Sequence, residues 1–152
     1  MQVNRTMELL DDTGQPSGAV IRGGDANPQV ASGELYLVTL RLITPTDRHY
    51  IVVDDPLPAG LEPVNTAFTS TRSDLSGTTG SDRWWGSFNH TELRDERVLL
   101  FADYLARGEH VYRYVVRAGV AGDFSWPGVQ AEAMYEPSVR GLGAAGRLVV
   151  AR

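Results

Sequence analysis

Residues 34–44 read ELYLVTLRLIT, and the alternation within them decides the fold class. Tyr36, Val38, Leu40 and Leu42 fall on one face and Thr39, Arg41 and Ile43 on the other, the period of two expected of a strand that buries one side. Working outward, HVYRYVVRA at 110–118 repeats the pattern, with Tyr112, Tyr114 and Val116 inward and Arg113 and Arg117 outward. Five further segments read as strands: VNRTMELL at 3–10, HYIVVDD at 49–55, ERVLLFADY at 96–104, VQAEAMY at 129–135 and GRLVVA at 146–151. Between them Gly and Pro punctuate the chain where φ must turn positive or an amide donor is missing. No ten-residue helical stripe stands out. ELRDERVLLFADYL at 92–105 comes nearest, so a short helix there is the alternative reading. Seven to nine short strands around one core predict an all-β, Ig-like antiparallel β-sandwich. The polar stretch 65–89 is expected to be a long loop at the sandwich end.

The 152 residues suffice for one hydrophobic core, and 1–152 reads as a single domain without linker, repeat or low-complexity tract. A hydrophobic fraction of 42% with 22% charged residues belongs to a folded chain rather than a disordered one. The formal net charge of -5, with the basic residues scattered, argues against a nucleic-acid partner, which requires a basic stripe. Cysteine is absent, which excludes a disulfide, a thiolate metal site or a cysteine nucleophile within these residues. MQVNRTMELL lacks the basic and apolar regions of a secretory signal, and no apolar run is long enough for a membrane-spanning helix. Any export signal is therefore expected outside this chain, and the domain itself is not expected to insert into a membrane.

Catalytic chemistry finds little support. His49, His90 and His110 have no His or Cys three or four residues away, so no metal is expected. The pairs Asp11-Asp12 and Asp54-Asp55 and the run Glu92 to Arg97 read as solvated turn or edge charges, not as the two flanking carboxylates of a glycosidase. Neither a nucleophile elbow nor a phosphate-binding glycine loop is present, so no enzyme and no cofactor are expected. Asn4-Arg5-Thr6 and Asn89-His90-Thr91 fit the N-glycosylation pattern, which is short enough to arise by chance. Trp84-Trp85 admits two readings. The pair fills the core or a domain contact, or it forms a platform for sugar or another surface, making the chain an Ig-like binding module.

Three stretches taken in order, DPLPAGLE at 55–62, ELRDERVLLFADYL at 92–105 and YRYVVRAGVAGDFSWPGVQAEAMYEPSVRG at 112–141, resemble the C-terminal macroglobulin-like (MG10) domain of bacterial α2-macroglobulins. Each piece also has its own physical reading. In Asp55-Pro56-Leu57-Pro58 the prolines end a sheet, and Gly60 lets the chain reverse. Arg94, Asp95, Glu96 and Arg97 are suited to cross-strand pairs that order an edge. Met134-Tyr135-Glu136-Pro137 closes what reads as the final long strand.

The resemblance implies a non-catalytic part of a protease trap, a fragment of a much larger chain, packed against a thioester domain and neighbouring macroglobulin domains. It further implies contact with target proteases only through that parent, and a periplasmic location, with the parent a lipoprotein of the inner membrane. By motif, the residues that keep water and small nucleophiles from the thioester would be Met134 and Tyr135, whose apolar bulk suits that task. The thioester must lie elsewhere, since it requires a cysteine. Strand alternation alone offers a plainer reading in which one of the pair is ordinary core. A domain that closes on its own chain needs no self-complementary surface, so a monomer is expected.

Overall fold

The computed structural model describes residues 1–64, 80–81 and 88–152. Among these residues the regular structure is all strand, in chain order β1 (Gln2–Leu10), β2 (Pro16–Arg22), β3 (Gln29–Ala31), β4 (Leu35–Thr44), β5 (Arg48–Pro56), β6 (Leu61–Val64), β7 (Gly80–Ser81), β8 (His90–Leu93), β9 (Arg97–Leu105), β10 (Gly108–Ala118), β11 (Gly122–Trp126), β12 (Gln130–Ala133), β13 (Glu136–Leu142) and β14 (Gly146–Ala151). One sheet runs β2-β1-β4-β10-β6, with β7 also on β10. A second runs β13-β12-β5-β9-β8, and a third, smaller one runs β11-β14-β3. All pairings are antiparallel except β14 with β3, which is parallel. More than a hundred residues separate those two strands, ample for the crossover that a parallel pair demands.

Each of the seven segments read as strands contains one, and the all-β, Ig-like antiparallel sandwich expected from them is the architecture found. The described strands number fourteen rather than seven to nine, because seven short or edge strands carry no clear alternation. The helical alternative at 92–105 is not realised. Those residues form the end of β8, a turn at Arg94–Glu96 and β9, where Val98, Leu100 and Ala102 alternate inward. Met134-Tyr135 does not close the last strand either: it is the two-residue turn between β12 and β13, and β14 follows.

The inward rows of all three sheets meet in one core. Val38, Leu40 and Leu42 of β4 pack with Ile51 and Val53 of β5, Leu100 of β9, and Leu148 and Val150 of β14. Each such side chain contributes about 1.5–3 kcal/mol relative to its exposed state. At the start of β4 the other face is buried as well, where Leu35 and Leu37 join Leu10 and Val115. Gly60 serves close approach: a Cβ there would lie 2.4 Å from the Phe124 ring, whereas its φ is not among the positive ones.

Candidate functional site

Two polar or apolar anomalies break the sandwich pattern, one inside and one at a rim. The inner one begins in β1, where the inward row Val3, Arg5, Met7 places an arginine between two core residues. In β5 the inward row Ile51, Val53, Asp55 ends on a carboxylate with no exposed surface. Arg5 Nη1 donates to Asp55 Oδ1, and the Tyr114 hydroxyl of β10 donates to Asp55 Oδ2. Arg5 Nη2 also donates to the Pro127 carbonyl at 2.7 Å, and its guanidinium lies 4.5 Å from the centre of the Trp126 ring. Burial raises the Asp55 carboxyl above its ordinary value, against the pull of the Arg5 charge and the Tyr114 hydroxyl. Burial, followed by the nearby Asp55 charge, pushes the Tyr114 hydroxyl well up, so it stays a neutral donor. With Asp55 fully buried and Arg5 nearly so, this centre ties β1, β5 and β10 to the turn after β11; on its outer side Arg5 lines a cavity of about 440 Å³ together with Asn4, Arg22 and Arg41. Asp55 is thus not the solvated turn carboxylate expected from the sequence, because its strand continues the inward row to that position.

The outer anomaly is the β12–β13 turn. Tyr135 is 77% exposed and Met134 42%, so neither is core. Two-residue hairpin turns usually place φ above zero, yet neither residue does so. Instead the register shifts between Glu132 and Ala133, and the positive φ, 55°, falls on Tyr50 of the adjoining β5. The Met134 amide donates to the Tyr50 carbonyl at 2.8 Å. The rings of Tyr50 and Tyr135 meet edge-on at 5.3 Å, and the His49 ring lies 5.2 Å from that of Tyr104. A cavity of about 290 Å³ is lined by Asp47, Arg48 and Glu136 together with the rings of His49, Tyr50 and Tyr135. Asp47 accepts the Arg107 amide at 2.9 Å, which holds its carboxyl below the ordinary range. The Tyr104 hydroxyl, bonded to Asp47, is held above its own ordinary value.

The other residues singled out from the sequence have structural places. Pro56 ends β5 and its carbonyl accepts Arg5 Nη1 at 3.3 Å, while the Pro58 carbonyl accepts the Leu61 amide at 3.0 Å in the following turn. Arg94 pairs with Glu92 at 2.6 Å on the same side of its turn, and Arg97 reaches across to Asp54 at 2.7 Å. Asp95 is exposed in the turn itself, and Pro137 lies in β13, an edge strand where a missing amide donor is tolerated. Among the described residues no three His, Cys, Asp or Glu side chains converge as a metal site requires, and His110 is buried with Nε2 2.7 Å from the Ala106 carbonyl. Trp84 and Trp85, and most of the expected loop at 65–89, lie outside the described residues. Arg5, Tyr114 and Tyr50 are not marked as site residues by any sequence motif, although Tyr114 falls in the inward row of its strand. For Arg5 the signal was present, a charge in the inward row of an alternating strand, whereas the strained backbone of Tyr50 leaves none.

A strand-built sandwich with a buried polar centre and an exposed turn at one rim defines an Ig-like β-sandwich domain. Residues 1–138 match the family model described as the bacterial alpha-2-macroglobulin MG10 domain, and the chain belongs to that family. It is 33% identical over 121 residues to an alpha-2-macroglobulin homolog of Nostoc, covering 80% of this chain and 6% of that protein. A similar 33% over 113 residues relates it to circularly permutated Ras protein 2 of Dictyostelium discoideum, covering 74% and 3%. Salmonella alpha-2-macroglobulin, solved after reaction with methylamine, superposes with a TM-score of 0.71 at 27% identity over 99% of this chain and 9% of its own. The chain therefore spans less than a tenth of each of these three relatives, and in them the corresponding region sits among other parts of a long polypeptide.

Proposed function

We propose that residues 1–152 are one non-catalytic macroglobulin-like domain of a bacterial α2-macroglobulin protease trap. We further propose that its Met134–Tyr135 turn covers a thioester carried by a neighbouring domain of the same parent. The observation that carries this reading is the exposure of both residues at one turn, Tyr135 at 77% and Met134 at 42%. Strand alternation predicts one of the pair inward; a turn that presents both outward has apolar surface to place against a partner. A thioether and a phenol ring exclude water by shape and apolar area without supplying a nucleophile. The unity of 1–152 draws support from β14, which lies beyond the matched residues 1–138 yet supplies Leu148 and Val150 to the common core. Target proteases are met through the parent, the chain itself is a monomer, and the parent works in the periplasm as a lipoprotein of the inner membrane.

The test is release of thiol from the parent protein, wild type against Met134→Ala and Tyr135→Ala, with and without methylamine. Faster thiol appearance in both variants at unchanged thermal stability is the expected result. Equal rates in all three proteins would reduce the turn to domain packing. A parent that yields no thiol would end the shielding role.

A further inference from the structure

We infer that Tyr50 is the positioning residue of the Met134–Tyr135 turn, a backbone and ring clasp that fixes the direction in which Tyr135 points. Its proposed consequence for thiol release rests on the shielding reading above; the geometric part does not. Tyr50 lies inside β5, flanked by regular pairings of His49 with Tyr104 and Ile51 with Ala102. Its φ of 55° nevertheless lies in the left-handed region, which a bulky side chain adopts only where the surroundings impose it. Glycine would hold that backbone without strain. Tyr50 makes two contacts from that position, one with its ring and one with its main chain. Tyr50 falls in the outward row of β5 with Val52 and Asp54, and its ring meets Tyr135 edge-on at 5.3 Å, a favoured aromatic geometry. The Tyr50 carbonyl accepts the Met134 amide at 2.8 Å, extending the β5–β12 ladder one step beyond its last pair, Ile51 with Ala133. The turn is thereby held by main chain at Met134 and by ring contact at Tyr135. Tyr50 itself is 47% exposed, so its ring is not retained for core packing.

Tyr50→Gly and Tyr50→Phe separate the two contributions, since glycine keeps the backbone conformation and removes the ring, and phenylalanine keeps the ring. In the 152-residue chain, nuclear Overhauser contacts of the Tyr135 ring report its orientation and melting reports stability. In the parent, methylamine-dependent thiol release reports the shield, with Tyr135→Ala run alongside. Tyr50→Gly is expected to melt no lower than wild type yet to lose the fixed contacts of the Tyr135 ring. Its parent should release thiol about two- to tenfold faster, the shift that loss of one aromatic pair allows, and Tyr50→Phe should restore both readouts. Wild-type contacts of the Tyr135 ring in Tyr50→Gly would overturn the inference, as would a failure of Tyr50→Phe to restore them. If Tyr135→Ala leaves thiol release unchanged, the shielding reading fails and the ring contacts alone decide whether Tyr50 positions the turn.

Discussion

Arg5 and Asp55 form a charge pair in an interior whose other buried polar residues, Thr44 and His110, stand among aliphatic and aromatic side chains. Such a pair stabilises little relative to an apolar substitute, but removing one member strands the other. Arg5→Met should therefore cost about 3–5 kcal/mol at neutral pH in urea denaturation. Tyr114→Phe, which takes only a hydroxyl from Asp55, should cost about 1–3 kcal/mol. The pH dependence carries a definite sign. Burial holds the Asp55 carboxyl above its ordinary value, and the Arg5 charge is the largest opposing influence, so its loss raises that carboxyl further. A carboxyl raised in the folded state gives stability that is complete below its unfolded value, about 4, and is lost as pH rises through the folded one. As pH rises above about 4, the Arg5→Met chain should lose stability more steeply than wild type; parallel slopes would show that Asp55 does not feel Arg5. This centre was half legible in the sequence. Arg5 stands in an inward row between Val3 and Met7, which marks it as buried, but its partner lies fifty residues away and nothing local pairs them.

At the scale of elements, legibility followed the length and burial of each strand. β4, β9 and β10 are long, and each carries an alternating inward row, so alternation marks them. β2 reads PSGAVIR and is largely exposed as an edge, and β3 is three residues laid parallel to β14, so tertiary pairing rather than pattern creates both. The β12–β13 turn was misplaced for a related reason: VQAEAMYEP has no Gly or Asn to announce a hairpin, and the register shift before Ala133 takes up the geometry instead. Where elements join, glycine marks close approach. A Cβ on Gly128, between β11 and β12, would lie 2.2 Å from the Gly143 carbonyl oxygen, a backbone atom that cannot rotate away. Gly128→Ala should cost about 1–3 kcal/mol, seen as a lowered melting temperature. At Gly119 the nearest atom would be Glu62 Oε1 at 3.8 Å, so Gly119→Ala should stay within about 0.5 kcal/mol. Equal losses at both sites would mean that the 141–146 segment is not packed against the β11–β12 connection as described.

The whole molecule draws its three sheets into one core, and the last strand shows how far they depend on one another. β14 pairs with β11 on one side and β3 on the other, and its Leu148 and Val150 are buried against residues of both larger sheets. Ending the chain at Leu142 would remove those two side chains, about 3–6 kcal/mol of burial, and would leave β11 and β3 without their ladder. Set against a margin of about 5–15 kcal/mol for a domain, that loss is comparable with the total. It also uncovers Trp126 and Val30, which belong to the same core. The intact chain should therefore unfold in a single urea transition by near- and far-ultraviolet circular dichroism, while the chain ending at Leu142 should lose the cooperative transition. If instead the shortened chain unfolds cooperatively near the intact midpoint, β14 is an appendage and the two larger sheets hold the sandwich by themselves. A single core also requires the slowest-exchanging amides of β4, β9 and β14 to share one opening free energy, since none of their strands can be exposed without breaking the contacts that bury the others.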